Sequence, residues 1–74
     1  MKYELSHDCK VELVVYNILG QNVRTLVDKY QTAGLKQIVW EGQNDSGMSL
    51  RSGTYFVRMK TGDYRKVIKI LLLR

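Results

Sequence analysis

The residues with the most chemistry in them are few and poorly placed for it. His7, Asp8 and Cys9 stand side by side after Ser6, and these side-chain types ligate zinc or pair a nucleophile with its base. Neighbours in one turn do not converge on a tetrahedral ion, however, and the chain holds a single His and a single Cys. A Cys–His pair would also need an orienting third group and a cleft, and the sequence suggests neither. Asn44-Asp45-Ser46-Gly47 forms a second cluster, with Glu41 just before it, and supplies oxygen ligands of the kind calcium takes. An EF-hand loop needs a longer acidic series that closes on Glu, so this run reads as a turn. Its glycine lacks the Lys-Ser/Thr and the following helix of a phosphate cradle. No catalytic residue, metal ligand or cofactor site is therefore expected.

Composition narrows the field further. Seventy-four residues make one small domain, 45% hydrophobic and 26% charged, without proline. A domain of this size buries only about 60% of the surface its unfolded chain exposes, so nearly every large apolar residue must join one core. One cysteine excludes an intrachain disulfide. The longest apolar run is Ile70 to Leu73, far short of the roughly 20 residues that span a bilayer, so no transmembrane segment is expected. Met1 is followed by Lys-Tyr-Glu-Leu, without the apolar stretch of a secretory signal. Tyr3 and Leu5 already have strand spacing, so the chain reads as a domain excised from a longer protein.

The charge is +5, from 12 Lys and Arg against 7 Asp and Glu. Clustered cations would raise nucleic acid as a partner, because they release counterions from phosphates. The densest group, Lys60, Arg65, Lys66, Lys69 and Arg74, is instead interleaved with apolar residues at strand spacing. It reads as the solvated face of a sheet, with a basic docking surface as the alternative and no nucleic acid expected.

The elements that must position these residues are strands. Val11, Leu13 and Val15 alternate with Glu12, Val14 and Tyr16, a period of two with β-branched enrichment. Asn17 to Gln21 then forms a tight turn, because Asn tolerates a left-handed backbone and Gly20 takes positive φ freely. Val23 to Asp28 is β-prone, but its alternation slips at Leu26-Val27 and predicts a bulge or bend there. Leu35 to Glu41 resumes the alternation with Lys36, Ile38 and Trp40 on one face, and Trp40 is the expected centre of the core. Gly42 to Gly47 is the clearest loop. Thr54 to Lys60 and Tyr64 to Leu73 form a hairpin closed by Thr61-Gly62-Asp63. With Met1 to Leu5 this gives six strands, or seven if one splits, and no helix. Short strands punctuated every 8 to 12 residues or so predict an antiparallel sandwich or barrel.

Taken together, Val11 to Asp28, Ala33-Gly34, Ile38 to Gly42, Asn44 to Gly47, Ser52 to Phe56 and the ending Lys69 to Arg74 resemble the C-terminal sorting domains of type IX secretion cargo. They are similar also to the related Ig-like domain of the flagellar hook-capping protein. The resemblance covers nearly the whole chain and implies an all-β, small antiparallel Ig-like sandwich at the end of a longer secreted protein. On that reading the domain does no chemistry. It is recognised by the outer-membrane secretion machinery after the cargo enters the periplasm, and a sortase-like protease removes it at the cell surface.

The family's Tyr-Asn/Asp-x-x-Gly turn falls on Tyr16, Asn17 and Gly20, its Gly-x-Tyr on Gly53 and Tyr55, and its terminal Lys with aliphatics on Lys69 to Leu73. Gly34, Trp40, Gly42, Asp45 and Gly47 complete the structural set. Two departures are visible. The Asn-Pro segment usual before the first strand is missing, and Glu41 stands where an Asp follows Trp. An apolar last strand flanked by cations can pair with another chain, so Lys66, Lys69, Ile70, Leu71, Leu72, Leu73 and Arg74 are the expected recognition residues. The same strand could exchange between copies into a homodimer. The alternatives are a structural Ig-like assembly module, as in hook capping, and a carbohydrate-binding accessory module that would stack sugars on exposed aromatics.

Overall fold

The computed structural model describes residues 1–73. It contains six strands and, among the described residues, no helix: β1 (Lys2–Leu5), β2 (Cys9–Tyr16), β3 (Asn22–Gln31), β4 (Gly34–Gln37), β5 (Gly53–Thr61) and β6 (Tyr64–Leu72). They form two antiparallel sheets, a two-stranded β1-β4 and a four-stranded β3-β2-β5-β6. The small Ig-like sandwich expected from the sequence is what the chain adopts.

β2 is the central element because it pairs on both sides, with β3 and with β5. Its odd-numbered residues Val11, Leu13 and Val15 are fully buried and meet Val57 from β5. Each such side chain contributes about 1.5–3 kcal/mol relative to exposure. Cys9, read from sequence as part of a polar turn, opens β2 and lies in the same core. Val14 points the other way yet is also buried, on the outer face of the large sheet.

The slip in the alternation at Leu26-Val27 has a direct structural cause. Leu13 pairs with Val27 and Val14 with Thr25, which leaves Leu26 unpaired in a bulge. Val27 belongs to the core and Leu26 packs against it, so the extra residue adds apolar cover instead of facing water. A second irregularity, between Val15 and Tyr16, skips Val23, which also packs on the core.

Two expectations need correcting. The strand anticipated over Leu35 to Glu41 spans Gly34–Gln37, the four residues that pair with β1, and backbone contacts between Met1 and Ile38 follow them. Trp40 consequently lies beyond the sheet, half-buried at the core margin and not at its centre. Its indole Nε1–H donates to the carbonyl of Gln43 at 2.9 Å, and its ring meets that of Tyr55 edge-on at 5.4 Å. A polar handle that must find an acceptor favours such a margin over a sealed interior.

β5 and β6 are joined by the two residues Gly62 and Asp63. Gly62 has φ +56° at the first turn position, which suits a type II′ hairpin turn and explains glycine there.

Candidate functional site

The large sheet presents an outer face and a free edge, and both centre on β6. Along the β5–β6 register, Phe56 faces Lys69, Arg58 faces Val67, Lys60 faces Arg65 and Thr54 faces Leu71 on the outer side. Tyr55 faces Ile70 and Val57 faces Ile68 on the inner side. Among the described residues β6 is hydrogen-bonded to β5 alone, so its other edge offers backbone N–H and C=O groups to a further strand. Ile68, Ile70 and Leu72 are half-covered by the core, whereas Val67 and Leu71 remain about two-thirds exposed, at 63% and 66%.

The outer face is unevenly charged. Lys10 pairs with Asp28 at 3.6 Å and Arg58 with Glu12 at 3.8 Å, both partly in solvent. The Arg58 guanidinium also lies over the Tyr16 ring, 5.5 Å from its centre. Lys60, Arg65 and Lys69 have no ion-pair partner among the described residues. This face therefore carries uncompensated positive charge, with Tyr16 already occupied by a cation.

The predicted recognition residues are brought together: Lys66, Lys69, Ile70, Leu71 and Leu72 lie in β6, with Lys66, Ile70 and Leu72 on its inner side and Lys69 and Leu71 on its outer side. Leu73 follows directly and is exposed, while Arg74 lies outside the described residues. The structural residues are not gathered at one place. Asn17 organises the β2–β3 turn through its side chain: Oδ1 accepts the N–H groups of Leu19 and Gln21 at 2.9 and 3.0 Å, and Nδ2 donates to Gln21 Oε1. Its backbone is not left-handed, which corrects the conformational reading of this position; Gly20 alone takes positive φ in the turn, at +78°. Asp45 pins the long loop to β3, its Oδ1 accepting from Thr25 N–H and its own N–H donating to the Val23 carbonyl. The Tyr55 hydroxyl donates to the Arg51 carbonyl at 2.8 Å. Gly42 and Gly47 have positive φ in that loop, Gly34 pairs with Leu5, and Gly53 opens β5 opposite Leu72.

The residues with reactive side chains separate. Cys9 is buried, the exposed His7 ring sits 3.0 Å from Ser6 Oγ, and Asp8 Oδ1 accepts the Ala33 N–H at 2.8 Å. Among the described residues no three His, Cys, Asp or Glu side chains gather around a common point. An open groove of about 820 Å³ runs between β1 and the β5–β6 hairpin, lined in part by Lys2, Leu5, Met59 and Lys66. Sequence reasoning missed one exposed feature, the adjacent Ile18 and Leu19 at the tip of the β2–β3 turn, 72% and 77% exposed. Two aliphatics inside a run of turn formers were the available signal.

Six short strands in two antiparallel sheets around one apolar core are the architecture of a small Ig-like module. Residues 1–64 match the FlgD Ig-like domain, so the chain belongs to that family and is related to the Ig-like part of flagellar hook capping. The matched stretch covers β1 to β5 and ends on the first residue of β6. No curated protein and no solved structure matches the chain.

Proposed function

We propose that this domain is a non-catalytic protein-assembly module that docks through the free edge of β6. The observation that carries the reading is β6 itself: nine residues hydrogen-bonded on one side only, in a domain of the FlgD Ig-like family. An added strand would gain main-chain hydrogen bonds along the edge, cover the inner aliphatics Ile68, Ile70 and Leu72, and meet Arg65 and Lys69 on the other face. Those cations favour an acidic partner strand. They also disfavour indiscriminate pairing, as charges on sheet edges do.

The test is a photo-crosslinking amino acid placed at Val67 in the full-length protein in its own cells. A defined adduct from Val67, absent from a probe at Tyr30 on the opposite edge strand β3, supports docking through β6. Adducts from Tyr30 alone, or none from Val67, count against it.

A second reading keeps the sequence blocks shared with type IX sorting domains. In it the partner is the outer-membrane secretion machinery, the cargo passes through the periplasm to the surface, and a sortase-like protease acts upstream of the domain. What favours it is that Lys69 to Leu72, the blocks' terminal segment, lie in this same exposed edge strand. Deleting 70–74 from the parent protein is then expected to leave it in the periplasm, and normal surface display of the truncated parent removes this reading while leaving the assembly reading standing. Exchange of β6 between two copies would rebuild the same register with β5. Light scattering at rising concentration is expected to show that dimer, and a strictly monomeric profile excludes it.

A further inference from the structure

The turn tip and the outer face form a second surface, which shares Arg65 and Lys69 with the β6 edge and adds the turn residues Ile18 and Leu19. The β2–β5–β6 register places the β2–β3 turn, which follows Tyr16, at the same end of the large sheet as Thr54 and Leu71. Ile18, Leu19, Leu71 and Leu73 are therefore all exposed toward one end of the molecule, between 66% and 85%. The turn is held in place. Its backbone is closed by Gly20 N–H to the Asn17 carbonyl and Asn17 N–H to the Gln21 carbonyl, and by the Asn17 side chain as described. Two aliphatic side chains are thus kept in water on a short, ordered support. On the outer face Lys69 lies nearest the turn, and Arg65 and Lys60 lie further along the same face toward the β5–β6 hairpin; none of the three has an ion-pair partner among the described residues, while both carboxylates that the register puts on the β2–β3 part of that face, Glu12 and Asp28, are already engaged by Arg58 and Lys10.

From this we infer that the turn tip and the basic outer face dock on an anionic lipid surface, with Ile18 and Leu19 entering the interface and Lys69, Arg65 and Lys60 lying over the headgroups. Apolar insertion combined with unpaired cations is the combination that holds peripheral proteins on acidic bilayers. The charge on this face calls for an anion. The aliphatics project from a tip instead of lining a depression, so a bilayer receives them without a matched pocket, as an acidic protein would have to supply.

The test is co-sedimentation of the whole 74-residue chain with phosphatidylcholine vesicles, with and without phosphatidylglycerol. Binding is expected only to the anionic vesicles and to weaken as salt is raised. A surface cation of this kind changes lipid affinity by about fivefold, so Arg65→Glu with Lys69→Glu should reduce binding by well over an order of magnitude. Ile18→Asp with Leu19→Asp should reduce it comparably, with an unchanged thermal melt showing that the fold is intact. Lys2→Glu with Lys36→Glu makes the same change of net charge on the small sheet and should leave most of the binding in place. No binding to anionic vesicles overturns the inference. So does binding that the turn variant retains, which would mean adsorption by net charge. Binding to polyglutamate but not to vesicles would assign the face to an acidic protein instead. Loss of vesicle binding in the Ile18 and Leu19 variant, which leaves Arg65 and Lys69 in place, is a separate readout from crosslinking at Val67.

Discussion

Asn17→Ala tests how the β2–β3 turn is built. Asn17 Oδ1 accepts two backbone N–H groups, from Leu19 at 2.9 Å and Gln21 at 3.0 Å, and Nδ2 adds a bond to Gln21 Oε1. A net intramolecular hydrogen bond is worth about 0.5–1.5 kcal/mol, and in this exposed turn water replaces part of each. Losing all of them should cost about 1–2 kcal/mol. For a domain of 60–100 residues each kcal/mol lowers the melting temperature by roughly 4–8 °C, which calorimetry or circular dichroism resolves easily. Asn17→Asp keeps the acceptor for both N–H groups and loses only the Gln21 side-chain bond, so it should stay within about 0.5 kcal/mol of the parent. An alanine variant as stable as the parent, or an aspartate variant as unstable as the alanine one, would refute the assignment of the turn to the Asn17 side chain.

Three further outcomes follow from the core and the hairpin. Leu13 is fully buried in the central strand, and Leu13→Ala should cost about 2–5 kcal/mol in urea denaturation; a loss under about 1 kcal/mol would place the core elsewhere. Gly62 has φ +56°, so Gly62→Ala should destabilise by about 1–2 kcal/mol although no atom lies near the added carbon. Burial holds the Tyr3 hydroxyl protonated above its ordinary value of 10.0. The folded state then binds this proton more tightly than the unfolded state. The corresponding stability is complete below pH 10 and declines as pH rises through the folded value. Tyr3→Phe should flatten that alkaline decline, and an unchanged slope would show that Tyr3 does not cause it.

Much of this fold was legible because period-two alternation reports burial directly. β2, β5 and β6 follow their apolar spacing, and even the slip at Leu26-Val27 marked the bulge in β3. What failed depended on partners that a local pattern does not contain. Trp40 continues the alternation of β4 but has no strand beside it, since the β1–β4 register covers Gly34 to Gln37 and no further. Cys9 was grouped with its polar neighbours, yet it pairs with Gln31 across the sheet and turns inward. At the candidate site, the interleaving of Lys and aliphatics along β6 showed a two-faced strand. Which cations lacked a carboxylate could only come from the folded sheet, where Glu12 and Asp28 reach diagonally to Arg58 and Lys10 and not to the residues directly opposite them. Ile18 and Leu19 looked like part of a turn until their exposure set them apart.

The central claim is that the domain acts by presenting the free edge of β6 to another protein. Its most direct test is the in-cell crosslink from Val67 in the full-length parent, compared with the probe at Tyr30. One discrete protein adduct is expected from Val67, diminished when Arg65 and Lys69 are reversed to Glu, and none from Tyr30. A Val67 probe that yields no protein adduct, while a Tyr30 probe does, would contradict it.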